Sequence, residues 1–235
     1  MTDRGFTGFK PAAFEFLAGL SADNSRTYFE AHRATYESAV AGPARALVVD
    51  LCVELRSRIS SGISADPRVG KSLFRINRDL RFSRDRTPYN PWIDAVFWEG
   101  GEDARRLPSL LLRIAEDHVV VGAGVMGLSV SQLARFRSAV DDPDTGSALA
   151  SVIDAIRTND DSVEISSPSR RGVPAGYRKD HPRADLLRLE TLHATSTLPI
   201  PRAIGSADFV SWIAGHHERF APLHHWLVAL LRERA

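Results

Sequence analysis

The sequence contains a single cysteine, Cys52, among its 235 residues. One cysteine cannot form an internal disulfide and cannot by itself supply a cysteine-based zinc site. Because no disulfide requires an oxidising compartment, we expect a cytoplasmic protein. Cys52 falls on the apolar stripe of a helix predicted after Gly42 and Pro43, which indicates a packing residue in the core rather than a reactive thiol.

Long apolar runs are also missing. No stretch approaches the ~20 apolar residues that a membrane-spanning helix needs. The N-terminus, MTDRGFTGFKPAAFEFL, contains acidic residues and lacks the basic-then-apolar order of a signal peptide. We therefore expect no membrane partner. With 43% hydrophobic and 25% charged residues, the composition is typical of a globular protein with a substantial core, and the length fits one domain over residues 1–235.

Hydrophobic spacing predicts an α+β fold. Helical spacing dominates 1–65, including a helix capped by Asp23 or Asn24. Within 70–127, alternating residues predict strands over 72–77 and 92–98, and two β-rich runs predict a hairpin that turns at Glu116 and Asp117. The remainder, 128–235, is predicted to be mainly helical, with one strand near 192–200 and a closing helical hairpin bent at Pro222. This order is typical of an antiparallel β-meander sheet packed against N-terminal and C-terminal helices.

The formal net charge of +1 conceals two strongly basic segments. Residues 68–86 contain seven basic and two acidic residues, and residues 170–188 contain six basic and two acidic residues. The rest of the chain is therefore acidic. A local concentration of positive charge attracts anions, so both segments are candidates for a ligand-binding site.

The first basic segment reads GKSLFRINRDLRFSRDRTPYN and has an arginine at every third position from 75 to 84. Apolar residues lie between the charges and should anchor the segment, which would give the guanidinium groups fixed positions. Planar guanidinium groups bind phosphate and carboxylate bidentately. The candidate ligand contacts are Lys71, Arg75, Arg78, Arg81 and Tyr89, with Asp79 as the candidate catalytic carboxylate. The alternative is a structural network in which Asp79 and Asp85 neutralise the neighbouring arginines.

The second basic segment, RRGVPAGYRKDHPRADLLRLE, adds Tyr177, Arg178 and Lys179 as candidate ligand contacts. His181 is the candidate acid or base, because an imidazole titrates near neutral pH and Asp180 could orient it. The alternative is that His181 and Pro182 only begin a helix. If the two basic segments meet in the fold, they would form one positively charged cleft.

Three other motifs are weaker indications of a binding site. GAGVMG at 122–127 satisfies the dinucleotide fingerprint, but its strand is predicted to belong to an antiparallel hairpin, and close packing of another element on the sheet is the better explanation. GKS at 70–72 lacks the earlier glycine of a phosphate loop. In HHERFAPLHH, His217 and His224 are about 10 Å apart along a continuous helix, so we predict a surface helical turn and no metal site, although a kink at Pro222 would bring them closer.

Three stretches together resemble the domain of unknown function 2461 family in order and spacing: SADNSRTYFEAHRATYE, GKSLFRINRDLRFSRDRTPYN and GVPAGYRKDHPRADLLRLETL. The resemblance runs from Phe6 to about Trp226, and FRINRDLRFSRDRTPY is its most specific part. The chain has Tyr28 and Phe29 where the family usually has a tryptophan followed by a phenylalanine. The resemblance implies one small intracellular domain and supplies no reaction.

Three functions remain open from the sequence. The leading one is binding of, and action on, a phosphate-bearing or other anionic small molecule. The second is a nucleic-acid-binding module, in which Phe82 and Tyr89 would stack on bases beside the arginines. The third is a structural or partner-binding protein with an internal salt-bridge network. The sequence indicates no particular reaction, cofactor or oligomeric state.

Overall fold

The computed structural model describes residues 5–81, 85–100, 106–158, 160 and 162–232. The N-terminal helices are α1 (Pro11–Ala22), α2 (Arg26–Ala31), α3 (Arg33–Thr35) and α4 (Gly42–Arg58), with a π-helical stretch at Tyr36–Ala41. The strands are β1 (Ile63–Ser64), β2 (Ile93–Glu99), β3 (Ser109–Ile114), β4 (His118–Val125), β5 (Val163–Ile165) and β6 (Leu192–Pro199). The later helices are α5 (Val130–Asp141), α6 (Pro143–Thr158), α7 (Ala184–Leu187), α8 (Asp208–Glu218) and α9 (Ala221–Leu231), with a 3-10 turn at Arg202–Gly205.

The described strands form one antiparallel sheet in the order β1-β2-β3-β4-β6-β5. The predicted α+β class with an antiparallel sheet is therefore confirmed. In the mainly helical part, β6 agrees with the strand predicted near 192–200 and pairs with β4 along its whole length, whereas β5, which extends the edge, was not predicted. Extended pairing was also predicted for 72–77, and this was wrong: the described contacts are isolated bridges at Leu73 and Asn77.

One face of the sheet is buried beneath helices, and the other is partly open. Leu112, Val121 and Ala194 point to the covered side and are at most 3% exposed. Their sequence neighbours point the opposite way because side chains alternate along a strand. On that second side, Arg113 donates to Asp94 through Nε at 2.7 Å, and its guanidinium lies 4.3 Å from the ring centre of Trp92.

Two local predictions about the N-terminal helices need correction. Ser25, rather than Asp23 or Asn24, caps α2, because its hydroxyl accepts the Tyr28 N–H at 3.1 Å. Cys52 lies at the margin of the buried face of α4 and is only half-buried. That partial burial still raises the pKa of its thiol, which keeps the thiol protonated at neutral pH.

The first two glycines of GAGVMG, Gly122 and Gly124, lie inside β4, between two antiparallel neighbours. A Cβ added to Gly122 would lie 2.2 Å from the carbonyl oxygen of Ala194, and one added to Gly124 would lie 2.4 Å from Cβ of His193. These glycines therefore allow β6 to approach β4 closely, in agreement with the packing explanation. A dinucleotide fingerprint requires a parallel βαβ unit, which this pairing excludes.

Within the part of the chain that the structure describes, none of the helices is long and apolar enough to cross a lipid bilayer.

Candidate functional site

The first basic segment belongs to an irregular loop, residues 66–81 and 85–90, which we call the arginine loop. The first residues of the loop are held together by hydrogen bonds within the loop. The Ser72 N–H donates to the Asp66 carbonyl at 3.0 Å, and the Asp66 N–H donates to the Ser72 hydroxyl at 2.9 Å. Gly70 turns the chain with a φ of 89°, a conformation that favours glycine. The backbone N–H groups of Gly70 and Lys71 donate to carbonyls within the loop, so they form no phosphate cradle.

The arginine loop is fixed to the core by hydrogen bonds to β2 and by buried side chains. The Phe74 N–H donates to the Asp94 carbonyl at 2.9 Å, and Leu73 and Ile76 are at most 7% exposed. At the far end, the side chain of Asn24 bonds both the N–H and the carbonyl of Tyr89, at 2.9 Å and 3.0 Å. The exposed charges therefore project from a backbone held at both ends.

Tyr89 anchors the loop rather than presenting its ring to solvent. It is 4% exposed and stacks on Phe29, with ring centres 4.5 Å apart and planes inclined by 18°. Its ring is therefore not available to stack on a nucleic-acid base. Phe82, the other aromatic residue of that hypothesis, and Arg84 lie outside the described residues.

Three arginines of the loop are paired with carboxylates. Arg81 binds Asp79 through Nη2 at 2.7 Å, Arg78 binds Asp85 and the hydroxyl of Thr87, and Arg68 binds Asp66. The side-chain hydrogen bond from Arg81 is the main cause that lowers the pKa of the Asp79 carboxyl to about 2. Asp79 is therefore ionised and engaged at neutral pH, which leaves it no proton to donate as a general acid.

Lys71 and Arg75 differ from these arginines. Both are exposed, and neither has a carboxylate within ion-pair distance among the described residues. The Arg75 guanidinium lies against Gly70: a Cβ added there would be 3.4 Å from Nε and 3.7 Å from Nη2. The loop thus places the Arg75 guanidinium beside Gly70, the residue that precedes Lys71.

The candidates of the second basic segment are differently placed. Arg178 binds Asp180 through Nη2 at 2.7 Å, both side chains being more than 70% exposed. Lys179 is exposed and has no carboxylate partner in the described ranges. Tyr177 is partly buried and packs against the hydrophobic core. Only Lys179 of these three therefore offers an unengaged charge.

His181 is 9% exposed, and both of its ring nitrogens face protein groups. Nδ1 accepts the Arg183 N–H at 3.0 Å, so Nε2 carries the hydrogen in the neutral ring, and it lies 3.4 Å from Oδ1 of Asp141. The carboxylate beside it is thus Asp141 rather than the expected Asp180. This geometry holds the turn into α7 and leaves no ring nitrogen facing a ligand.

The two basic segments are not brought together. The arginine loop is bonded to β2 near one edge of the sheet, whereas the second segment precedes β6 in the chain and is bonded to α5 through Arg183. Three strand spacings of about 4.8 Å, roughly 14 Å, separate β2 from β6 across the sheet. No hydrogen bond or ion pair found between described residues joins the segments. The single cleft expected from the sequence is therefore not formed, and each segment must be considered alone.

The sequence interpretation also missed two buried histidines. His217 and His224 have no exposed surface, so the prediction that HHERFAPLHH forms a surface turn was wrong for these two residues. His217 Nε2 lies 3.0 Å from the Leu111 carbonyl, and His224 Nε2 lies 3.1 Å from Oε2 of Glu99. Among the residues described, no group of three or more metal-ligating side chains is close enough to hold a metal ion.

Comparison with known families agrees with the resemblance found in the sequence. The model of a family described as "Conserved hypothetical protein (DUF2461)" matches residues 12–226. The chain belongs to this family. The match includes both basic segments and the whole described sheet of this DUF2461 protein. None of the curated proteins matches the chain.

Proposed function

We propose that this DUF2461 protein binds an anionic, phosphate-bearing ligand on the arginine loop, through Lys71 and Arg75. The observation that carries the proposal is that these two exposed cations lack carboxylate partners in the described structure, although three neighbouring arginines each have one. An unpaired cation keeps its full attraction for a ligand, whereas a paired one must first give up its carboxylate.

The fixed backbone of the loop supports the same proposal. Binding is stronger when the ligand contacts are already in place, because little side-chain and loop ordering then opposes it. The hydrogen bonds to β2 and the buried Tyr89 hold the loop on both sides of the two cations. Arg75 provides a planar fork for two phosphate oxygens and Lys71 a compact charge for a third.

The remaining candidate residues act indirectly in this proposal. Arg78, Arg81 and their carboxylates shape the loop and add little net charge. Asp79 and His181, which the sequence suggested for catalysis, hold Arg81 and the turn into α7. The proposal is therefore a binding function, and it involves the first basic segment alone.

Thermal unfolding in the presence of inorganic phosphate, a sugar phosphate, a nucleoside triphosphate and a short single-stranded oligonucleotide tests the proposal. A ligand at 100 times its dissociation constant stabilises the folded state by about 2.7 kcal/mol, which raises the melting temperature by roughly 5–10 °C. We expect a rise of this size in the melting temperature with a phosphate-bearing small molecule. The double variant Lys71→Ala/Arg75→Ala should abolish the shift.

The matched control is Lys10→Ala/Arg202→Ala, which removes the same two charge types from exposed positions outside both basic segments. This control variant should show the same ligand-induced rise in melting temperature as the native protein. If no anion raises the melting temperature, the internal salt-bridge network is the better explanation and the proposal fails. If only the oligonucleotide binds, with an affinity that falls steeply with salt, the nucleic-acid alternative replaces it.

A further inference from the structure

A groove separate from the arginine loop lies between α6, residues 165–168 and the segment that contains α7. It encloses about 370 Å³, within the size range of small-molecule sites. Its apolar lining comes from both walls: Ala150, Ile153, Ile165, Pro168, Pro182, Ala184, Leu186 and Leu189. Ile153 and Leu189 are at most 5% exposed, so the groove reaches the edge of the core.

The walls of the groove are held in place by hydrogen bonds. The Arg183 guanidinium donates to the Val140 carbonyl at 2.7 Å and to the Ser147 hydroxyl at 3.2 Å, which fixes the α7 side to α5 and α6. On the other side, the Ser166 hydroxyl accepts the His193 N–H at 2.8 Å and lies 2.8 Å from Nδ1 of the same histidine. The groove is therefore preformed, and the Ser166 oxygen is fixed at its rim.

The charges around the groove balance. Its lining contains two arginines and two aspartates, in contrast to the surplus of positive charge on the arginine loop. Arg183 is committed to α5, and Asp185 is paired with Arg188. Asp154 and Arg157 have no oppositely charged partner within the described part of the chain. The rim thus offers one available carboxylate and one available guanidinium.

These two charges lie at one end of an apolar strip. Residues 150, 153, 154 and 157 follow the spacing of a single helix face and all line the groove. The apolar pair, Ala150 and Ile153, forms one end of this face, and the charged pair, Asp154 and Arg157, forms the other end about one helical turn further along α6. A ligand in this groove would therefore need an apolar portion beside Ala150 and opposite charges close together at its other end. Side chains three residues apart on a helix are about 5–6 Å apart. This separation suits a ligand whose two oppositely charged groups are attached to the same carbon atom.

We propose that this groove binds a small zwitterion with an apolar side chain, of which a hydrophobic α-amino acid is the simplest example. Arg157 binds its carboxylate, Asp154 binds its ammonium group, and the side chain lies along Ala150 and Ile153. With its hydroxyl donating to Nδ1 of His193, the Ser166 oxygen has one further lone pair for the ammonium group. This site is independent of anion binding on the arginine loop.

Isothermal titration with four probes tests the ligand class. L-leucine has all three features, N-acetyl-L-leucine lacks the ammonium group, L-leucinamide lacks the carboxylate, and glycine lacks the side chain. Loss of either charge should weaken binding about tenfold or more, because a charge-assisted contact to Asp154 or Arg157 is lost. Equal affinities for the four probes, or no binding of L-leucine at millimolar concentration, would overturn the proposal.

Three variants locate the site. Ala150→Leu places two further methyl groups and a methine in the groove and should abolish L-leucine binding, whereas Ala148→Leu changes an exposed position of the same helix outside the groove and should leave it intact. Arg157→Gln should remove the preference for L-leucine over L-leucinamide without requiring any change in the core. Undiminished binding by Ala150→Leu, or an unchanged preference in Arg157→Gln, would contradict the assignment.

Discussion

The imidazole of His224 lies 3.1 Å from the carboxylate of Glu99, and the two side chains join α9 to β2 within the protein interior. His224 has no exposed surface and Glu99 is 8% exposed. Burial lowers the pKa of His224, and the hydrogen bond to Glu99 partly opposes that effect. The neutral ring therefore donates from Nε2 to the carboxylate.

Removal of this carboxylate should destabilise the protein. Glu99→Ala leaves the His224 N–H buried without an acceptor, and an unsatisfied buried donor costs about 1–3 kcal/mol. We expect that loss in the free energy of unfolding, measured by urea titration at neutral pH. Glu116→Ala removes an exposed glutamate at the turn between β3 and β4 and should change the free energy by less than about 0.5 kcal/mol. Equal stabilities of the two variants would show that the buried pair does not stabilise the fold.

Buried His217 should make stability depend on pH between about 6.5 and 4. Burial lowers its pKa from 6.5 in the unfolded chain to about 4 in the fold. Over that interval the unfolded chain binds the proton and the folded one does not, so stability falls as the pH decreases. The full effect is roughly 3 kcal/mol.

His217→Gln tests the assignment because glutamine can still donate to the Leu111 carbonyl but does not titrate. The variant should be less stable at pH 7 and lose less stability between pH 6.5 and 4 than the native sequence does. The free energy of unfolding of both proteins is measured by urea titration across this pH range. If it falls equally in the variant and the native protein, groups other than His217 cause the acid sensitivity.

Gly122→Ala should push β4 and β6 apart. The added methyl would lie 2.2 Å from the Ala194 carbonyl oxygen, in backbone that cannot move without disturbing the ladder. Overpacking of this kind costs about 1–3 kcal/mol of unfolding free energy. Gly127→Ala is the matched control, since nothing lies within 4 Å of its added Cβ and its φ is not positive. A Gly122→Ala variant as stable as Gly127→Ala would contradict the close approach of the two strands.

Gly70→Ala should weaken anion binding on the arginine loop without removing a charge. An alanine at a φ of 89° is strained by about 1–2 kcal/mol, and relief of that strain would move the turn against which the Arg75 guanidinium lies. The affinity for the phosphate-bearing ligand should fall, as measured by titration calorimetry. Gly172→Ala, in the second basic segment with open space around it, should bind as the native protein does. Unchanged affinity in Gly70→Ala would mean that the position of Arg75 is not important for binding.

Much of the fold was predictable from the spacing of hydrophobic residues, and there are physical reasons why the remaining elements were not. The strands β2, β3 and β4 were predicted, because β2 alternates and β3 and β4 are β-rich runs of six and eight residues, whereas β1 and β5 have only two and three residues and show no period. The histidines were missed because histidine was read as a polar surface residue. The apolar stripe formed by Ile213, Phe220, Leu223 and Leu227 includes both 217 and 224, which was the available signal.

The candidate site was predictable only in part. Asp79 and Arg81, and likewise Arg178 and Asp180, are two residues apart, a spacing that puts side chains on one side of an extended chain and permits the pairs observed. The separation of the two basic segments was not predictable from local pattern. It depends on the strand order, which places β3 and β4 between β2, to which the first segment is bonded, and β6, which follows the second segment in the chain.

That same strand order has a consequence for biosynthesis. Val121 of β4 pairs with Ser196 of β6, and two long helices are translated between them. Until the ribosome has released β6, one side of β4 has backbone donors and acceptors without partners beside fully apolar side chains. An incomplete chain of this kind is prone to self-association, so truncation anywhere before residue 199 should give aggregates rather than a smaller folded unit.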